Sequence, residues 1–214
     1  MNVTILGTGN MAKAIAGLMV AGGNNVTLVS RDPEKAESTV KALAARAKKG
    51  SVVKAAPTGS PLVDPVVINT VWYPASLDVI RQYGAQLAGK ILVDITNPVN
   101  ATFDDLATRP GTSAAEELAK VAPQGTHVLK AFNTTFAGLL NQGHVANHSI
   151  DVFIAGDDEN AKATLARLIE EGGQHPVDAG PLKRARQLEG LGLLSITLQS
   201  KMEKPWMNGV KILS

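Results

Sequence analysis

Cysteine is absent from the 214-residue chain. Disulfides, thiolate nucleophiles and cysteine-ligated zinc or iron–sulfur centres are therefore excluded, and a reducing compartment such as the cytosol suits the chain. Aromatic residues are scarce: 2 Trp, 2 Tyr and 4 Phe are too few for a stacking platform that reads single-stranded nucleic acid. Charge of one sign is also lacking. Lys+Arg 21 against Asp+Glu 19 leave a net +2, too little for a duplex-binding surface that works by counterion release. The longest apolar run, Met11 to Gly22, is broken by Lys13 and is too short to cross a bilayer. Val3 to Leu6 already reads as a strand, with no room ahead of it for a signal peptide. The chain therefore reads as soluble and cytoplasmic, without nucleic-acid or membrane partners. Its 44% apolar and 19% charged residues are those of a globular protein with a substantial core.

What the sequence does contain is a rhythm. Short runs rich in Val and Ile, mostly without polar alternation, occur at Val3–Leu6, Val26–Val29, Val66–Thr70, Ile91–Asp94, His127–Ala131 and Val152–Ala155, with Val52–Lys54 as a further short strand. Unalternated runs suit a parallel sheet covered by helices on both faces. Helical patterns fall between them at Met11–Ala21, Pro33–Lys48, Ala75–Leu87, Ala114–Val121 and Glu159–Glu171. The succession predicts an α/β fold, a Rossmann-type doubly wound, mostly parallel sheet. After Asp178 the rhythm changes. Leu182–Gln199 reads as one helix with a wide apolar face of Leu188, Leu191, Leu194, Ile196 and Leu198, followed by an irregular tail. The expected division is a dinucleotide-binding domain over 1–180 and, over 181–214, a C-terminal helix and tail that pack on that domain or on a second copy.

Gly7-Thr8-Gly9-Asn10-Met11-Ala12 joins the first strand to the first helix. In a GxGxxA turn Gly7 permits the tight bend, Gly9 lets a pyrophosphate approach the backbone, and Ala12 lets helix and strand pack. Helix-start N–H groups then face the anion. The second strand ends at Ser30-Arg31-Asp32-Pro33-Glu34-Lys35. An NAD site wants a carboxylate about 20 residues past the glycines. Ser30 stands there uncharged, and Arg31 can fork onto a 2′-phosphate. Lys35 lies in a first helical turn, where a cation is unfavourable unless an anion is near. These features favour NADP(H). The rival reading takes Asp32 as an NAD ribose ligand, but Asp32 as N-cap before Pro33 at N1 explains both residues locally.

Ligands of open parallel sheets collect beyond the carboxyl ends of the strands. Three such ends are distinctive: Asn69-Thr70-Val71-Trp72-Tyr73-Pro74, Asp94-Ile95-Thr96-Asn97-Pro98 and Lys130-Ala131-Phe132-Asn133-Thr134-Thr135. Asn97, Asn133 and Thr134 are candidates for the nicotinamide carboxamide, against a plain role as loop caps. No general acid or base stands out. His127 reads as structural, the segment of His144 and His148 lacks helical support for a metal pair, and Asp94 organises its own loop. Direct hydride transfer needs alignment more than a strong acid, so this shortage is compatible with redox chemistry. Lys183, Arg184 and Arg186 crowd the start of the last helix, either for an anionic partner or as a solvated face. Trp206 suits a lid on an acceptor pocket or, more simply, packing against the domain edge.

Gly7-Thr8-Gly9-Asn10, Ser30-Arg31 with Lys35, Gly156-Asp157-Asp158-Glu159, Asp178-Ala179-Gly180-Pro181-Leu182 and Gly209-Val210-Lys211-Ile212-Leu213 together resemble the NADP-dependent oxidoreductases typified by NADPH:coenzyme F420 (deazaflavin) reductases. The resemblance implies NADP(H) contacts at Thr8, Gly9, Asn10, Met11, Ser30, Arg31 and Lys35, and near Val71, Trp72, Asn97 and Ala137. It also implies an acceptor stacked on the nicotinamide and a homodimer built partly from the C-terminal helix. Val71-Trp72-Tyr73 replaces that family's usual small-residue–Pro–Trp run, which reshapes the acceptor side. The expected function is therefore hydride transfer between NADPH and coenzyme F420 or a similar planar acceptor, a flavin among them. Gly9-Asn10-Met11-Ala12-Lys13-Ala14-Ile15 also resembles the opening of pyrroline-carboxylate-reductase-like imine reductases, one alternative. A non-catalytic NADPH-binding regulator is the other.

Overall fold

Side chains of the central strands in this protein alternate between two apolar cores, not between core and water. In β1 (Asn2–Leu6), Val3 and Ile5 enter one layer and Leu6 the other. In β4 (Val66–Asn69), Val66 and Ile68 are likewise separated from Val67. Burial on both faces explains why these strands read as continuous apolar runs. The computed structural model describes residues 1–145, 147–203 and 205–213.

The remaining strands are β2 (Asn25–Ser30), β3 (Val53–Pro57), β5 (Ile91–Asp94), β6 (His127–Ala131), β7 (His144–Val145), β8 (His148–Ser149), β9 (Asp151–Gly156) and β10 (His175–Gly180). Eight of the ten form one sheet in the order β10-β9-β6-β5-β4-β1-β2-β3. All neighbours are parallel except β6 and β9, so β9 and β10 run against the other six. β7 and β8 pair separately as a two-stranded ribbon. The order reverses between β1 and β4, and a ligand crevice is expected at that point of a doubly wound sheet.

The helices are α1 (Asn10–Ala21), α2 (Pro33–Ala44), α3 (Ala75–Tyr83), α4 (Ala114–Val121), α5 (Ala137–Gln142), α6 (Glu159–Glu171) and α7 (Ala185–Thr197). Residues of α1, α5 and α6 share one core with the sheet, and those of α3 and α4 the other. Sequence chemistry fixes several helix starts. Asp32, Ser113 and Asp158 accept hydrogen bonds from the N–H groups of Lys35, Glu116 and Ala161, capping α2, α4 and α6. Pro33 occupies the first turn of α2, as its fixed φ favours. Among the described residues no helix is long and apolar enough to cross a membrane.

Four sequence expectations are corrected. The helix expected over Pro33–Lys48 stops at Ala44, and the one expected over Ala75–Leu87 gives way at Gly84 to a 3₁₀ turn. Leu182–Gln199 is not one helix: 3₁₀ turns at Leu182–Arg184 and Gln199–Lys201 flank α7. The wide apolar face is only partly used, because Leu188 is buried whereas Leu194 is 54% exposed.

Candidate functional site

The carboxyl ends of β1, β4, β5 and β6 open together into a cleft of about 590 Å³. Its near wall is the start of α1, Gly9 to Ala12. Opposite stand Thr70 to Tyr73 beyond β4, Ile95 to Asn97 beyond β5, and Phe132, Asn133 and Thr135 beyond β6. Phe136, Ala137 and Gly138 at the head of α5, Ile196 of α7 and Trp206 of the tail complete it, with Phe103 at the side. Tyr73 is the one ionisable side chain lining the cleft among the described residues. Its hydroxyl donates to the Glu117 carboxylate at 2.7 Å. Burial, then that bond and charge, push the phenol up to about 12, so it stays protonated across the physiological range.

The turn after β1 is built for close approach. Gly7 has φ +120°, and a Cβ there would lie 2.4 Å from Thr70 Oγ1, which itself donates to the Leu6 carbonyl at 2.7 Å. At Gly9 a Cβ would meet nothing within 4 Å, so the space beyond that backbone is open. Gly9 is the N-cap of α1 and provides no side-chain cap, and the first turn carries no acidic residue. Helix-start N–H groups without internal partners thus adjoin the cleft. A dinucleotide pyrophosphate matches this arrangement in charge and in room.

A polar ledge leads from this turn to the end of β2. Thr8 Oγ1 and Ser30 Oγ lie 3.2 Å apart, both hydroxyls buried, and Ser30 Oγ accepts from the Asp32 N–H at 3.1 Å. Asp32 Oδ1 is taken by the Lys35 N–H at 3.0 Å, the local capping role that competes with a ribose contact. Arg31 and Lys35 are exposed, and neither joins an ion pair among the described residues. Two cations flanking a buried hydroxyl suit a phosphate monoester better than a bare ribose diol.

Beneath the cleft lies an ionic cluster that sequence reasoning missed. Lys130, 0% exposed, reaches Asp94 Oδ2 at 2.7 Å and Glu189 Oε1 at 2.8 Å, and donates to the Thr96 carbonyl. Asp94 also accepts from the Thr96 N–H and hydroxyl, at 3.2 and 3.0 Å, so it does organise its loop. Glu189 accepts from the Ala114 and Ala115 N–H groups at the start of α4. Burial pushes the Glu189 carboxyl up, and the Lys130 ammonium works against that rise. The cluster joins β5, β6, α4 and α7 directly under Asn97 and Asn133.

The structure brings Gly9, Asn10, Met11, Thr70, Val71, Trp72, Asn97, Asn133 and Ala137 to one cleft. Gly7, Thr8, Ser30, Arg31 and Lys35 lie instead on the adjoining turn and ledge. Thr134 is corrected: it is buried outside the cleft, and Thr135 lines it, with a buried hydroxyl that has no partner among the described residues. Trp206 is not simply packed on the domain edge. Its ring meets Phe136 edge-on at 5.1 Å and lines the cleft. Of the basic trio, Arg186 forks onto Glu116 at 2.8 and 2.7 Å, so it serves α4 and is not free for an anion; Lys183 and Arg184 are exposed. Phe132, fully buried at φ +61°, marks backbone strain at the cleft that no sequence motif announced.

Residues 2–98 match the family model described as NADP oxidoreductase, coenzyme F420-dependent. The F420-dependent NADP reductase of Methanothermobacter marburgensis is 30% identical over 212 residues, covering 94% of this chain and 93% of the relative. Rat metalloreductase STEAP3 is 33% identical over 191 residues, 89% of this chain, but the chain spans only 36% of that protein's length. A solved structure of a candidate F420-dependent NADP-reductase from Arthrobacter sp. FB24 superposes with a TM-score of 0.78 at 27% identity, covering 95% of this chain and 96% of that one. With a near-full-length relative at this identity and a matching nucleotide turn, the chain belongs to the family of coenzyme F420-dependent NADP oxidoreductases.

Proposed function

We propose that this protein binds NADP(H) across the α1 turn and the Ser30 ledge, and exchanges a hydride with a planar ring acceptor of the deazaflavin type. The observation that carries the reading is a continuous path. An uncharged cleft walled by aromatic rings meets the uncapped start of α1, and that turn meets two cations beside Ser30 that join no ion pair among the described residues. Gly7, Thr8, Gly9, Asn10 and Met11 hold the pyrophosphate. Ser30, Arg31 and Lys35 hold the 2′-phosphate. Thr70, Val71, Trp72, Asn97, Asn133 and Ala137 surround the nicotinamide.

NADPH, when bound, supplies a hydride equivalent. The residues of the chain align the partners and exclude water. Trp206 and Phe136 offer an aromatic wall against which a flat acceptor stacks. Asn97 and Asn133 fix one edge of the nicotinamide pocket, and Met11 closes the near side. Tyr73, protonated and tied to Glu117, donates a fixed hydrogen bond and does not titrate near neutral pH. Any further proton that the reduced acceptor needs comes from water.

Residues 1–180 form the dinucleotide-binding unit and 181–214 the segment that finishes its acceptor side. Exposed Leu194, Ile212 and Leu213 supply the contact of a cytoplasmic homodimer, which light scattering tests. The functional test is NADPH oxidation against a panel of coenzyme F420, FMN, a quinone, a ferric chelate and a cyclic imine. Turnover with the deazaflavin above the others is expected. Tight NADPH binding without oxidation by any acceptor would replace the reading with that of a regulator, and turnover confined to the imine would favour an imine reductase.

A further inference from the structure

We propose that the C-terminal helix α7 is the positioning element for the nicotinamide end of the cleft, and that Gly192 is the residue through which it acts. This rests on the assignment of that cleft to NADP(H). Asn97 and Asn133 form a reciprocal amide pair. Asn97 Nδ2 donates to the Asn133 carbonyl at 2.7 Å, and Asn133 Nδ2 donates to Asn97 Oδ1 at 2.8 Å. Asn133 Nδ2 also donates to the Leu188 carbonyl of α7 at 2.8 Å, so the helix backbone fixes which way that amide faces. The other side of the pair is held by contact. A Cβ at Gly192 would stand 2.2 Å from Asn97 Oδ1, 2.7 Å from its Cγ and 2.8 Å from its Nδ2.

A glycine inside a helix weakens that helix relative to alanine, and α7 contains two at buried or half-buried positions. They differ in surroundings. A Cβ at Gly190 would meet nothing within 4 Å, whereas Gly192 rests against the Asn97 amide. The atoms in the way belong to the far end of one side chain, not to backbone, so the fold can absorb an added methyl by turning Asn97 aside. Turning it breaks both bonds to Asn133. The consequence falls on the cleft and not on the helix. Glu189 and Lys130, one turn away, fix the axial position of α7 that brings Gly192 to this point.

The experiment compares two ligands on intact protein by calorimetry: NADPH, and 2′,5′-ADP, which carries the 2′-phosphate without the nicotinamide. Gly192→Ala is expected to leave 2′,5′-ADP affinity unchanged and to weaken NADPH about tenfold, the loss of one or two well-made hydrogen bonds. Thermal stability should fall modestly, since the two broken bonds outweigh the helix gain of alanine, while the protein stays folded. Gly190→Ala should leave both affinities unchanged while raising stability. In an Asn97→Ala background Gly192→Ala should add less than a twofold effect, because the amide it displaces is gone. Equal losses for both ligands would show a general structural role and overturn the proposal, as would an unchanged NADPH affinity or full additivity of the two substitutions. Should Gly192→Ala fail to fold, the proposal is overturned, since the methyl was argued to displace only a side chain. Absence of NADPH binding by the unmodified chain would instead defeat the cofactor assignment on which this rests.

Discussion

Arg31 carries the sharpest expectation at the level of single residues. It is exposed, stands beside the buried Ser30 hydroxyl and joins no carboxylate among the described residues. Arg31→Ala should weaken NADPH binding by roughly 1.5–3 kcal/mol, the size of a charge-assisted hydrogen bond, and leave NADH nearly unaffected. Parallel titrations with the two nucleotides check this; equal losses would misplace the 2′-phosphate. Tyr73 gives a pH expectation. A phenol held up at about 12 favours its protonated form in the fold, so its contribution to stability is complete below the ordinary value near 10. The contribution is lost as pH rises from there through the folded value. Alkaline spectrophotometric titration should show one of the two tyrosines ionising late, and Tyr73→Phe should remove that late phase. Arg31 was visible in the sequence as a site candidate, whereas Tyr73 stood out only as a bulky ring beyond the fourth strand. Lys130 was not visible, although it left a trace: a lysine within His-Val-Leu-Lys-Ala, in a strand buried on both faces, requires a partner. Nothing local pointed to Glu189, which lies on a different element.

Secondary-structure elements were legible where burial is symmetrical. Six strands and most helices were found because continuous Val/Ile runs and helical periodicity reflect the two cores directly, and the short Val52–Lys54 run marked a seventh, β3. β10 (His175–Gly180) was legible only as a strand start near His175, because it is an edge strand, where Pro176, Asp178 and Gly180 are tolerated and apolar continuity is not needed. α5 spans six residues, too few to show a period. The tail was read as irregular, yet it is pinned at both ends. The Trp206 N–H donates to Gln199 Oε1, Thr135 pairs with Gly209, and buried Asp151 accepts from Lys211, the Ile212 N–H and His175. Burial alone would raise the Asp151 carboxyl, but these bonds together hold it below the ordinary carboxylate range. A depressed carboxylate stabilises the fold above its unfolded value and loses that effect as pH falls through its folded value. The tail should therefore loosen only in strong acid. Asp151→Asn should loosen it at neutral pH, with a red shift of Trp206 emission and a cost of about 1.5–3 kcal/mol in denaturant unfolding.

At the scale of the whole molecule, the ionic cluster of Asp94, Lys130 and Glu189 joins sheet, α4 and α7 into one unit beneath the cleft. Removing one member leaves buried charge uncompensated. Lys130→Ala should therefore cost about 3–5 kcal/mol of folding stability, measured by chemical denaturation, and also weaken NADPH binding in the fraction that stays folded, because α7 loses its ionic anchor. The doubly wound architecture and the nucleotide turn were readable in advance, since both follow from local pattern. The aromatic wall of the cleft was readable only at Trp206, because it gathers Phe103, Phe136, Ile196 and Trp206 from distant segments through loop and tail paths that have no periodicity.

The bare beginning of α1 affects how such a protein behaves in the tube. Inorganic phosphate or sulfate in a working buffer should occupy those free N–H groups and compete with the nucleotide, raising its apparent dissociation constant in proportion to their concentration. Chloride at matched ionic strength should only screen. The choice of buffer salt thus belongs to the chemistry of this site, and affinities measured in phosphate and in a zwitterionic buffer should differ by a ratio that reports how well that helix start receives an oxyanion.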